Sequence, residues 1–181
     1  VDIKAILKRI EKGDRSAFAL VVRQFQQPLF GYLGRMGLTQ SLAEEIAQET
    51  FLRAWMRLDD YDPLRAEFST WLFTIARNLA LNELERASSK REVTQDEFLP
   101  DSVCEAKPPW DALDQNQQRQ RLINALHTLS VTDRSALALA YYQELDLTAI
   151  ARIEGCSASA IKVRLHRSKQ RLRQLLEKRD E

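Results

Sequence analysis

Helix breakers are scarce in this chain: five glycines and five prolines are spread over 181 residues, and long stretches hold neither. With abundant Ala, Leu, Arg, Gln and Glu, and no alternating apolar segment bounded by turn residues, that scarcity argues against a sheet and for an all-α fold. Cysteine is nearly absent as well. Cys104 and Cys156 lie far apart with no CxxC spacing, which excludes a disulfide framework or a thiolate zinc site and predicts reduced, unpaired thiols. Only His127 and His166 supply imidazole, and there is no Gly-rich phosphate loop, metal-ligand cluster or nucleophile–base signature, so an enzyme is not expected and no cofactor is called for. No apolar run is long enough to cross a membrane and no segment resembles a signal peptide, which predicts a soluble, cytoplasmic protein without membrane insertion.

The net charge of +1 conceals an uneven distribution. Residues 1–90 carry 13 Lys+Arg against 12 Asp+Glu, residues 91–115 carry 2 against 7, and residues 116–181 carry 12 against 7. An acidic strip thus separates a balanced half from a basic one. Three of the five prolines, Pro100, Pro108 and Pro109, also fall in the strip, where helical periodicity is lost. The expected organisation is two small helical domains, 1–90 and 116–181, joined by an acidic, Pro-containing linker over 91–115.

Within the first domain, apolar spacing predicts a helix over 3–25 interrupted at Lys12-Gly13-Asp14. A second should run from about Pro28 to Met36-Gly37, and a third should open at the Ser41-Leu42-Ala43-Glu44 capping pattern. The third has a regular inward stripe: Leu42, Ala43, Ile46, Ala47, Thr50, Phe51, Ala54 and Leu58. A fourth is expected from about Ser69 to Arg86, with Phe68, Leu72, Ile75 and Leu79 inward. In the second domain, Leu122 to Leu129 restarts the pattern, Ser130 caps the next helix, and a short helix to Glu154, a turn at Gly155 and a long final helix complete a helix-turn-helix.

Three surfaces carry chemistry. Residues 156–173 hold six Lys and Arg and no acid. At helical spacing Ile161, Leu165, Ser168 and Leu172 fall inward, while Ser159, Lys162, Val163, His166, Arg167 and Gln170 fall outward, the arrangement of a helix that reads a DNA groove. On the 41–58 helix, Glu45, Gln48, Glu49, Leu52 and Met56 line up beside the inward stripe, a docking surface with an apolar centre and a charged rim. The segment from Tyr61 to Arg86 combines the aromatics Tyr61, Phe68, Trp71 and Phe73 with Arg65, Arg77 and Arg86, and Asn78 lies opposite Leu72 and Leu79. Stacking, backbone neutralisation and an amide for a base edge are what single-stranded DNA requires. For most of these aromatics, Phe68 and Trp71 included, a plain core position is the simpler account.

Taken together, these motifs resemble the extracytoplasmic-function sigma factors, the minimal two-domain class of bacterial transcription initiation factors. Residues 43–55, AEEIAQETFLRAW, are similar to that family's core-polymerase-binding helix; residues 68–78, FSTWLFTIARN, to its promoter-melting segment; and residues 159–169, SAIKVRLHRSK, to its minus-thirty-five recognition helix. The resemblance implies that Glu45, Gln48, Glu49, Leu52, Arg53 and Trp55 dock on the clamp helices of the largest subunit of core RNA polymerase. It implies capture of a flipped minus-ten base near Asn78, with Arg53, Arg57, Tyr61 and Arg77 alongside. Ser159, Lys162, Val163, Arg164, His166, Arg167 and Lys169 correspond to the minus-thirty-five contacts in promoter DNA, Arg164 and Lys169 on phosphates. It further implies a factor that responds to stress or envelope signals, an anti-sigma factor that clamps both domains, and a monomer when bound to polymerase. The acidic linker is similar in place to the segment that threads the polymerase's RNA path. The chain departs from the family's frequent pattern at Asp62 to Glu67, Ala160 and Val163, positions that bear on promoter preference.

A rival reading is a helix-turn-helix regulator with an N-terminal sensor or dimerisation domain, acting without core polymerase. It accounts for 116–181 equally well, but gives no role to the Glu45/Gln48/Glu49 face or to Asn78, and it needs paired half-sites.

Overall fold

A computed structural model describes residues 2–93 and 112–177, and among them there are helices and turns but no strand. The first half comprises α1 (Ile3–Glu11), α2 (Phe18–Met36), α3 (Gln40–Met56) and α4 (Phe68–Val93). The second comprises α5 (Ala112–His127), α6 (Val131–Tyr141), α7 (Leu147–Glu154) and α8 (Ala158–Glu177). Short 3₁₀ turns at Arg15–Ala17 and Leu58–Asp60 join α1 to α2 and follow α3. Most of the expected linker, and Cys104, lie outside the described residues.

Local signals set most of the helix ends. Asp2, Ser130 and Asp146 each turn a side-chain oxygen onto a first-turn amide, at 2.9, 3.1 and 2.8 Å, satisfying a donor that has no partner within the helix. Gly37 and Gly155 end α2 and α7 in the left-handed region, at φ 100° and 66°, where a Cβ would be strained.

Four expectations are corrected. The helix expected to begin at Pro28 is instead continuous from Phe18, with Pro28 in its interior. Buried Val21, Phe25, Leu29, Leu33 and Met36 carry one stripe across the proline, so packing outweighs the lost backbone bond. The cap of α3 is Thr39, whose hydroxyl accepts from the Leu42 amide at 3.4 Å, not Ser41. In α4 the inward face is rotated: Phe73, Ala76 and Ala80 are buried beside Phe68 and Leu72, whereas Ile75 and Leu79 are only half-buried. α4 also continues past Arg86 to Val93.

The two halves are packed against each other, a placement the sequence does not determine. α2 lies on α6 and α4 on α7, and one contiguous cluster of buried apolar side chains runs through both halves. Around it, Gln143 donates to the Pro28 carbonyl at 2.8 Å, and the Arg35 guanidinium lies 3.5 Å from the centre of the Tyr142 ring. Gly31 lets that ring approach: a Cβ there would overlap the Tyr142 hydroxyl.

Replacing Asp146 by alanine removes the cap that starts the helix-turn-helix. The expected cost is about 1 kcal/mol in urea denaturation, with Asp146→Asn close to wild type.

Candidate protein and nucleic-acid interfaces

The final helix divides as its spacing predicts. Ile161, Leu165 and Ser168 are buried and Leu172 is half-buried. Ser159, Lys162, Val163, His166, Arg167 and Lys169 are exposed on the other side. Ser157 sets its start, accepting from the Ala160 amide at 3.1 Å, and the Cys156 amide reaches back to the Ala151 carbonyl at 3.0 Å across Gly155. Beside the outward face runs an open cleft of about 710 Å³, lined by Asp133, Ser157, Ser159, Val163, Arg164 and Arg167 among others. Val163 is half exposed among these cations, a polyanion surface with one apolar contact at its centre.

On α3 the inward stripe is buried from Ala43 to Ala54, which turns Glu45, Gln48, Leu52, Arg53 and Met56 to solvent, with Glu49 and Trp55 half-buried. Leu52 and Met56 are 52 % and 72 % exposed, a degree that folding alone does not favour in neighbouring large apolar side chains. Glu49 accepts from Arg53 Nε at 2.6 Å, which holds part of the charged rim in place. Trp55 is turned toward Phe18 in α2, ring centres 5.0 Å apart.

The aromatic segment is mostly structural. Phe68 and Phe73 are buried, Phe73 edge-on to Tyr32 at 5.3 Å. Tyr61 packs against Phe68 and Trp71, and its hydroxyl donates to the Ala66 carbonyl at 3.0 Å. Partial burial, then the carboxylates of Glu67 and Asp62, raise the Tyr61 pKa above that of a free phenol, so it stays a neutral donor. Asn78 is exposed, and its side-chain oxygen lies 3.5 Å from Arg77 Nη1. Arg57, also exposed, pairs with Asp60 at 3.2 Å.

Arg77 and Arg164, expected at the two DNA surfaces, are instead drawn to one buried carboxylate. Arg77 Nη2 and Arg164 Nη1 donate to Glu154 Oε2 at 3.0 and 2.9 Å, and the Glu154 side chain is fully buried. Ser135 donates to Glu154 Oε1 at 2.5 Å. Its single proton is thereby committed, so Tyr32, 2.7 Å away, is the donor to Ser135 Oγ. Burial pushes the Tyr32 phenol well above its ordinary pKa, and the Glu154 carboxylate adds to the rise, which keeps that proton in place. Glu154, Ser135 and Tyr32 carry no functional expectation from sequence. One signal was available: Glu154 sits in the last turn of α7, where the helix dipole disfavours a carboxylate, four residues after buried Ile150.

Removing the carboxylate leaves two guanidiniums without their shared acceptor. Glu154→Ala should therefore lower unfolding free energy by about 3 kcal/mol or more in urea titration, and Ser135→Ala by about 1 kcal/mol.

Against known proteins, the Sigma-70 region 2 profile matches residues 21–90 and the Sigma-70, region 4 profile matches residues 119–172. The ECF RNA polymerase sigma factor SigW of Bacillus subtilis is 31% identical over 96% of each chain. The ECF RNA polymerase sigma factor RpoE of Cereibacter sphaeroides is 31% identical over 96% of this chain and 94% of its own. In solved structures, the sigma factor RpoE from Bartonella quintana, crystallised with the anti-sigma factor NepR, superposes at a TM-score of 0.73 with 26% identity. That match covers 88% of this chain and 96% of the other.

Proposed function

We propose how this chain works from one premise: it belongs to the ECF RNA polymerase sigma factors, which are initiation factors and not enzymes. It directs core RNA polymerase to promoters, and an anti-sigma factor holds it in check, as NepR binds its relative RpoE. Residues 1–90 form the domain for polymerase docking and minus-ten DNA, 91–115 the linker, and 116–181 the domain for the minus-thirty-five element. The site of action is the cytoplasm, where polymerase and chromosome are, and the working unit is one copy of the chain on polymerase. A regulator independent of polymerase would leave the region 2 match over 21–90 without a purpose.

The observation that carries the residue assignments is the two-sidedness of α8. Ile161, Leu165 and Ser168 fasten it to the domain while Lys162, Val163, His166 and Arg167 face outward together. We assign these four, with Ser159, to base edges in the major groove and Lys169 to phosphate, with Arg164 joining the phosphate contacts once it leaves Glu154. The exposed face of α3 supports polymerase docking through Glu45, Gln48, Glu49, Leu52, Arg53 and Trp55. Asn78, flanked by Arg53, Arg57, Tyr61 and Arg77, is assigned to the opened minus-ten strand. Binding an unstacked strand offsets part of the cost of melting.

The test is in vitro transcription with purified core polymerase on a genomic fragment library. Discrete start sites that require the protein are expected; transcripts indifferent to it would refute the reading. Leu52→Ala should weaken association with core polymerase roughly tenfold at unchanged thermal stability, since a half-exposed leucine contributes little to folding but can anchor an interface. Lys162→Ala and Arg167→Ala should each cost about 1–3 kcal/mol at the upstream element and relax sequence preference there, read by holoenzyme footprinting. Lys169→Ala should chiefly flatten the salt dependence, by about one unit of log–log slope.

A further inference from the structure

Residues 156–173 hold six Lys and Arg and no acid, yet the fold brings a carboxylate to them from another helix. Asp133, in the first turn of α6, lines the same open cleft as Arg164, Arg167 and Arg171 of α8. One acid from α6 thus shares a cleft with three guanidiniums from α8.

Helix capping does not account for this acid. Asp133 is the third residue of α6, a position from which a carboxylate can reach back to the amide of the capping residue. Ser130 Oγ accepts from the Asp133 amide at 3.1 Å, but the reciprocal bond is missing. Among the described residues no hydrogen bond or ion pair engages the half-buried Asp133 carboxylate. Arg164 is held by Glu154 at 2.9 Å, whereas Arg167 and Arg171 are exposed, with no described carboxylate in ion-pair range.

Two free guanidiniums, with the Ser157 and Ser159 hydroxyls on the same cleft, suit the backbone of a duplex, which presents one charge per about 1.7 Å of helix axis. Phosphate contacts carry no sequence information, so a wholly cationic cleft would hold any DNA. A negative charge in the cleft penalises phosphate there and does not oppose base-edge contacts made by Lys162, Val163 and His166 on the outward face. Discrimination is a difference of two affinities, and a repulsive element against the wrong partner raises it.

We propose that Asp133 is a specificity-determining residue: its carboxylate keeps the DNA backbone out of the cleft between α6 and α8, so that α8 draws its affinity from base edges rather than from phosphate at Arg167 and Arg171. The proposal rests on the assignment of α8 to DNA made above.

The test uses the full-length chain and a random-sequence duplex, followed by fluorescence anisotropy. Asp133→Asn keeps the size of the side chain and removes its charge. It should bind the random duplex about fivefold more tightly and steepen the log–log salt slope by about one unit. Asp133→Glu restores the charge and should stay close to wild type. Adding Arg171→Ala to Asp133→Asn should cancel the gain in slope, because the admitted phosphate loses its guanidinium. With core polymerase, the amount of random duplex that halves transcription from a library promoter should fall about threefold for Asp133→Asn. Should Asp133→Asn not fold, Asp133→Ser removes the same charge, and the same changes are expected.

A folded Asp133→Asn chain with unchanged affinity and slope would overturn the proposal, as would a gain in affinity that leaves the competitor requirement where it was. Arg167→Ala is measured in parallel as the check on the DNA assignment. If it weakens duplex binding while Asp133→Asn changes nothing, the role of Asp133 alone fails. If it leaves binding untouched, the reading of α8 as a DNA-binding helix fails and the role of Asp133 with it. Absence of any transcription would refute the initiation-factor reading, while exclusion of phosphate by Asp133 would still be judged on the duplex.

Discussion

A carboxylate sealed from water must find its compensation where it lies, because transfer of an isolated charge into a protein interior costs several kcal/mol even after relaxation. Glu154 is placed where that demand is sharpest, at the C-terminal end of α7, where the last carbonyls already point partial negative charge at it. Two guanidiniums and a hydroxyl meet the demand, and they come from α4, α8 and α6. Each fixes a distance of about a hydrogen bond between its helix and the end of α7. The tilt of the recognition helix and the seating of the first half on the second are thus referred to the same atoms. Arg164 and Ser135 supply the compensation from within the second half, so that domain keeps its helix-turn-helix when Arg77 departs.

What the sequence discloses and what it conceals divide along the same line. The stripes of α3 and α8 are legible because they repeat within one helix: Ala43, Ile46, Ala47, Thr50, Phe51 and Ala54 are buried, as are Ile161, Leu165 and Ser168. Their outward faces follow by subtraction, so which sides of these two helices meet water was readable from spacing, with Glu49, Trp55 and Arg164 only partly exposed. Pro28 misleads because its cost is local and the packing that overrides it is not. Phe73 reads as a candidate stacking platform, yet it lies against Tyr32, forty-one positions away in the chain. The Glu154 network is beyond any periodicity. Its partners lie 10, 19 and 77 positions away, and Tyr32 and Ser135 are 103 apart.

The surfaces differ in how they can be reached, and the difference is electrostatic as much as steric. On α3 the exposed Leu52 and Met56 have a charged rim. Such a face buries apolar area on contact and needs no prior rearrangement. On α8 the exposed cations act over a Debye length, so Lys162, Arg167 and Lys169 can attract a duplex before any contact forms. Arg77 and Arg164 together contribute about one unit charge to that long-range field instead of two, because the single Glu154 carboxylate, within 3.0 Å of both, offsets one of them.

An order of events follows from these ranges. On the assignments proposed above, encounter with polymerase through α3 asks nothing of the interface between the halves, and encounter with DNA through the outer cations of α8 asks little. Of the two inner arginines, Arg77 leaves Glu154 when the halves separate, whereas Arg164, in the same half as Glu154, stays paired with it. Separation exposes the contiguous apolar cluster between α2 and α6, an unfavourable step in water at about 25 cal/mol per Å² of apolar surface. Opening is therefore costly for the chain by itself. It becomes favourable only when a partner covers the exposed apolar surface or holds the halves apart, and when the released Arg77 finds another anion.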